Sequence, residues 1–167
     1  VRLTQNPIEQ LQTLRYNPFS IKRSLQVGTH YISGFVPKEN VYELDAIFST
    51  DASNTFGFNL CVGDGRKVII SYDTDSHNLV IDRTYCADVD IPKFCRMTHA
   101  WVEPIDNKIR FHIFVDKSSI ELFTNDGKDV FTLLTYPNES QTGIELFAHK
   151  KGTNMELNAW MLKSIWK

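Results

Sequence analysis

The strongest constraint on this chain is a period of two. In YELDAIFS, Tyr42, Leu44, Ala46 and Phe48 alternate with Glu43, Asp45, Ile47 and Ser49. That spacing puts one set on the buried face of an extended strand and the other set on the opposite face. TFGFNLCVG repeats the device with Phe56, Phe58, Leu60 and Val62, and KIRFHIFVD with Ile109, Phe111, Ile113 and Val115. Turn formers separate such runs. DTDSHN divides KVIISY from NLVIDRTY, and Ile105, Asp106 and Asn107 divide THAWVEP from KIRFHIFVD, so each pair reads as a hairpin. DKSS precedes IELF, and Asn125-Asp126-Gly127 is a hairpin turn because Asn and Gly tolerate positive φ. VFTLLTYP, TGIELFAHKKG and MELNAWMLKSIW supply the remaining strands.

About ten or eleven short strands with almost no helix predict an all-β fold, an antiparallel two-sheet β-sandwich of the jelly-roll or concanavalin-like kind. The exception is NPIEQLQTLR. Asn6 can cap, Pro7 suits the first helical position and Glu9 completes a capping box, so the spacing predicts a short helix over Pro7–Leu14. Its apolar residues Ile8, Leu11 and Leu14 would form one stripe against a larger body. No repeat or flexible linker divides the chain, so residues 1–167 read as one domain, with residues 1–15 as an entry linker and helix.

A chain of 167 residues, 42% of them hydrophobic, can bury about 70% of the surface its unfolded form exposes. A core therefore requires neither metal nor disulfide. The net charge is -2 and both signs alternate along the sequence; without a basic run, nucleic acid is excluded as an expected partner. No apolar run approaches the roughly 20 residues needed to cross a bilayer, and no basic-then-apolar leader opens the sequence. Its first residue is Val1 rather than Met, as expected of a piece of a longer protein or a processed product. Cys61, Cys86 and Cys95 match no zinc spacing. The sequence leaves open whether Cys86 and Cys95 are idle thiols or bridge in an oxidising compartment.

Polar clusters read mainly as turns. Asp116, Ser118 and Ser119 suit a tight turn, because a serine nucleophile also needs a histidine base and an oxyanion hole; His112 lies on the preceding strand, on the face opposite Ile113, and Glu121 points out of the core. Asp73–Asn78 starts like a calcium loop, but Asn78 stands where such a loop needs glycine and Thr84 where it needs a bidentate carboxylate. His30, His77, His99, His112 and His149 show no metal-binding spacing, so no metal or cofactor is expected. Asn138-Glu139-Ser140 is a formal glycosylation sequon. Tyr16, Phe19, Tyr85 and Phe94 fall in irregular segments; they are the carbohydrate-binding candidates, since exposed rings stack on sugar faces, with packing at sandwich edges or against a neighbouring domain as the competing reading.

FVDKSSIELFTNDG followed by TYP, together with FGFNL, ISYD, LVIDRT and LNAWMLKSIW, resembles the C-terminal β-sandwich module of glycoside hydrolase family 32. That family comprises invertases, levanases, inulinases and other fructan hydrolases. LTQNPIEQLQTLR is similar to the segment by which such enzymes leave the catalytic propeller and enter the sandwich. The resemblance covers essentially the whole chain and implies a division of labour. The family's catalytic aspartate in N-D-P-N, stabilising aspartate in R-D-P and acid/base glutamate in E-C belong to a β-propeller, and none of these motifs occurs here. Asn125-Asp126-Gly127 shares two letters with the first but lacks its proline. Retaining glycosidases need two carboxyl groups about 5–5.5 Å apart, and the chain is expected to hold no catalytic residue.

The resemblance implies a non-catalytic module that steadies the N-terminal β-propeller catalytic domain of the same protein, with a homodimer and fructan as further expected partners. A fructan-binding module and an autonomous glycosidase are the alternatives. The parent is expected to be secreted or periplasmic, or cytoplasmic if sucrose-specific. A docking module cut from its partner is also expected to expose an apolar patch larger than a monomer normally shows.

Overall fold

A computed structural model describes residues 3–87, 93–94 and 96–164. In chain order the strands are β1 (Arg15–Ser24), β2 (Gly28–Tyr31), β3 (Tyr42–Ser49), β4 (Thr55–Gly63), β5 (Arg66–Asp73) and β6 (Asn78–Asp82), then β7 (Met97–Trp101), β8 (Lys108–Asp116), β9 (Ser119–Thr124), β10 (Asp129–Leu134), β11 (Gly143–Ala148) and β12 (Asn154–Leu162). They form two six-stranded sheets, ordered β1-β12-β3-β8-β9-β10 and β2-β11-β4-β5-β6-β7. Every pairing is antiparallel. The expected sandwich is present.

The alternation sets the core. Tyr42, Leu44, Ala46 and Phe48 of β3 are fully buried, facing Phe56, Phe58 and Leu60 of β4 across the layer gap. Phe48 stacks on Phe56 at 4.7 Å and meets Phe58 and Phe111 edge-on at 5.7 and 5.6 Å. Each such ring removes roughly 150–250 Å² from water, a gross gain of about 4–6 kcal/mol at the usual area coefficient. Three aromatic neighbours around one ring also fix the register of both sheets, because a slip by one residue would turn Phe48 outward.

Four local expectations are corrected. The segment after Pro7 is a 3₁₀ turn, Glu9–Leu14, with no side-chain cap and no buried residue. The three-residue spacing of Ile8, Leu11 and Leu14 matches three residues per turn better than the 3.6 of an α-helix, and Ile8 remains 64% exposed. Tyr16 and Phe19 do not lie in an irregular stretch but in β1, an edge strand; Pro18 and a bulge between Tyr16 and Phe19 mask its period in the sequence. β7 and β8 are not a hairpin, since they lie in different sheets. Asp106 and Asn107, at φ 49° and 56°, do make a tight turn, but it joins only Ile105 to Lys108; Pro104 interrupts the pairing and the chain crosses between layers. Finally, Val62 does not continue the core set of β4: a register shift between Leu60 and Gly63 buries Cys61 and leaves Val62 only half-buried. On the outer face of β3, Glu43 is fully buried.

The amide of Gln5 donates to the Gly127 carbonyl in the β9–β10 turn at 3.0 Å, and the amide of Lys163 donates to Leu14 at 2.9 Å beside β1. β10 and β1 are opposite edges of one sheet. The entry segment therefore runs from one edge of that sheet to the other and is tied at both ends. Gly127 permits this contact: it sits at φ 76°, and a Cβ there would lie 2.0 Å from the Gln5 carbonyl oxygen.

Candidate functional site

Carboxylates are the first groups to place, because sugar hydrolysis would need a free pair of them. On the outer face of the β1–β10 sheet, Glu43 receives Arg15 as a fork, at 2.7 Å from Nε and 2.6 Å from Nη2, and contacts His112 Nε2 at 2.6 Å. The Arg15 guanidinium also lies 4.0 Å over the Trp160 ring. Burial pushes the Glu43 carboxyl up, but hydrogen bonds from His112 and Arg15 outweigh it and hold the group below its ordinary range. Two residues along the same face, Asp45 accepts a second fork from Arg110, at 2.8 and 2.7 Å, and Arg110 also bonds Asp126. The fork to Asp45 raises the Arg110 pKa despite the opposing effect of burial. Both carboxylates are thus engaged by arginine forks, and Glu43, held below its ordinary range, is the reverse of an acid kept protonated for general-acid work.

The turns behave as their residues predict. Asp73 accepts from the Ser76 amide at 2.8 Å and hydroxyl at 2.7 Å, which together hold its carboxyl below the ordinary range. Asp116 accepts from the Lys117 amide, closing the turn onto Ser119. Asn138 donates to Asp64 at 2.8 Å. Among the described residues, no group of three His, Cys, Asp or Glu side chains converges to hold a metal. Cys61 and Cys86 are buried, and the Gln141 amide donates to both their carbonyls. Burial, with Cys86 adding to it, pushes the Cys61 thiol up to about 12. The Cys86–Cys95 reading falls on Cys95, outside the described residues.

The four aromatic candidates do not form one surface. Tyr16 and Phe19 belong to β1, the edge of one sheet, whereas Tyr85 and Phe94 flank β6 and β7 at the far edge of the other. Phe19 packs 5.8 Å from Phe35 beneath Gly34, where a Cβ would come 2.9 Å from its ring. Phe94 lies 5.2 Å from Tyr136 and under the Arg83 guanidinium. These two are packing residues. Tyr16 and Tyr85 remain exposed, at 43% and 75%. Tyr85 borders a pocket of about 100 Å³ with Lys67 and Asp82. Tyr16 borders a groove of about 530 Å³ with Asn17, Val36, Lys38, Glu39 and Lys163. Another depression of about 350 Å³, at the far end of β1, has no aromatic wall. Sequence reasoning missed the Tyr16 groove because it is assembled from β1, the loop before β3 and the end of β12.

Comparison with known proteins follows the same lines. A family model described as "Glycosyl hydrolases family 32 C terminal" matches residues 8–161. The levanase of Bacillus subtilis (strain 168) is 31% identical over 172 residues, covering 99% of this chain and 25% of that protein. The levanase of Bacillus sp. (strain L7) is 30% identical, covering 100% of this chain and 19% of that protein. Among solved structures, exo-inulinase from Aspergillus awamori superposes with a TM-score of 0.82 at 22% identity, over 99% of this chain and 33% of that one. The chain therefore spans a quarter or less of these levanases.

Proposed function

The chain belongs to the family of C-terminal domains of family 32 glycosyl hydrolases, and from that membership we propose that it is the non-catalytic β-sandwich module of a β-fructosidase of levanase, inulinase or invertase type. The parent is a glycosidase whose β-fructofuranosyl chemistry resides in an N-terminal propeller, and the sandwich steadies that propeller and helps set its oligomeric state. The observation that carries the reading is the levanase match, which fills this chain and only a quarter of the relative. The site geometry agrees with it, since Glu43 and Asp45 are already engaged by arginine forks. Secretion or a periplasmic location suits a polymeric fructan substrate, and a cytoplasmic location suits a sucrose-specific parent.

The test compares three samples on levan and sucrose: the chain alone, the parent protein, and the parent with this module deleted. The chain alone should release no fructose, the parent should release it, and the deleted form should lose activity faster on heating. Fructose release by the chain alone overturns the reading. Equal heat resistance of parent and deleted form removes the steadying role.

A further inference from the structure

We propose that the groove beside Tyr16 is a subsite for a short neutral oligosaccharide. Three independent features meet there. Its volume of about 530 Å³ lies within the range of roughly 300–1,000 Å³ that small ligands occupy, whereas the pocket beside Tyr85, at about 100 Å³, falls below it. An aromatic ring forms part of the wall and is 43% exposed, although an aromatic on a sheet face is ordinarily covered by its cross-strand neighbours. Such a ring offers an apolar plane to the C–H face of a sugar and a hydroxyl to the water around it. Around it stand Asn17, Lys38, Glu39 and Lys163, a mixed set of donors and acceptors suited to sugar hydroxyls rather than to one sign of charge.

The backbone supplies the third feature. β1 carries a bulge between Tyr16 and Phe19, where its register with β12 shifts by one residue. Asn17 within that bulge sits at φ 47°. A bulge on an edge strand re-aims the flanking side chains, and a non-glycine residue held at positive φ is a cost that the surroundings must sustain. The regular alternative would return Tyr16 and Asn17 to the alternation of β1. The bulge instead leaves both of them lining the groove.

The expectation that the sugar is a fructan rests on the family reading; the site itself does not. Isothermal titration of the chain with inulin-type, levan-type and maltose-type oligosaccharides separates the two. Saturable binding should appear with a fructan series. Tyr16→Ala should weaken it on the order of tenfold, Tyr16→Phe should retain it, and Tyr85→Ala should leave it unchanged. Lys38→Ala, at an exposed position that the fold does not need, should weaken binding several-fold and serves where Tyr16→Ala fails to fold. Absence of saturable binding up to tens of millimolar overturns the proposal, as does binding indifferent to both Tyr16→Ala and Lys38→Ala. Tyr16-dependent binding of maltose-type sugars alone supports the subsite and overturns the fructan assignment.

Discussion

Removing the charge of Glu43 tests the reading of the outer sheet face most directly. Glu43→Gln keeps the side-chain volume but takes away the anion to which Arg15 and His112 are fitted. The carboxylate has no solvent exposure and the Arg15 side chain retains 21%. Breaking a buried ion pair by neutralising one partner costs about 3–5 kcal/mol, against about 0–1 kcal/mol for an exposed pair. Because Arg15 can turn partly toward water, we expect the lower end, about 3 kcal/mol, or a fall in Tm of about 6–12 °C for a domain of this size. The measurement is equilibrium urea unfolding followed by circular dichroism, with an unchanged m-value showing that the denatured state is unaltered. Its pH dependence has a definite sign. Folding lowers the Glu43 pKa from its ordinary 4.5, so the unfolded chain binds more protons and the contribution is complete above that value. The difference between wild type and Glu43→Gln should therefore shrink as pH falls below 4.5. Replacing both Arg15 and Glu43 with Met should cost less than the two single changes added together, because no orphaned charge remains. A cost for Glu43→Gln under about 1 kcal/mol, or one independent of pH, would refute the argument.

Other expectations rest on separate features. Phe48→Ala should destabilise the fold by about 3–5 kcal/mol in the same urea assay, because its ring is shared among Phe56, Phe58 and Phe111. Gly127→Ala should cost at least about 1–2 kcal/mol from its left-handed backbone alone and, because a Cβ meets the Gln5 carbonyl, should release the Gln5 amide to rapid hydrogen exchange. Arg110→Lys should destabilise by about 1–3 kcal/mol, since a lysine cannot span both oxygens of Asp45. Cys61 should resist a thiol reagent in the native state at pH 8 and react only at the rate of unfolding, its thiol having been pushed up to about 12.

Where side-chain period and turn chemistry act locally, the chain was readable in advance. The β3 and β8 core residues, Phe56, Phe58 and Leu60 of β4, and the turns at Asp73, Asp116 and Asn125 follow from patterns shorter than ten residues, whereas the exchange of Val62 for Cys61 at the end of β4 follows from a shift in pairing with β5 that the period does not encode. What escaped depends on neighbours distant in sequence. β1 looked irregular because an edge strand with a bulge and Pro18 has no strict period, and only its pairing with β12, about 140 residues later, makes it a strand. The same limit hid the Glu43 network, whose partners Arg15 and His112 lie 28 and 69 residues away. β7 and β8 show the converse error. Asp106 and Asn107 do form a turn, but a turn does not specify which sheet its arms join, and Pro104 sends the preceding strand to the other layer. The candidate aromatics divided for a similar reason, since the loop holding Gly34 and Phe35 covers Phe19 but leaves Tyr16 bare.

The entry segment, clasped at Gly127 and again at Leu14, has a mechanical implication. A pull on Leu3 is first borne by the amide-to-carbonyl link from Gln5 to Gly127 beside the β9–β10 turn, and only after that link parts does load pass to the clasp at Leu14 and then to β1, which would be peeled from β12 one hydrogen bond at a time. Stretched in a force spectrometer from its amino end, the domain should yield in two events, a small early rupture followed by sequential loss of the edge strand, rather than in one cooperative break.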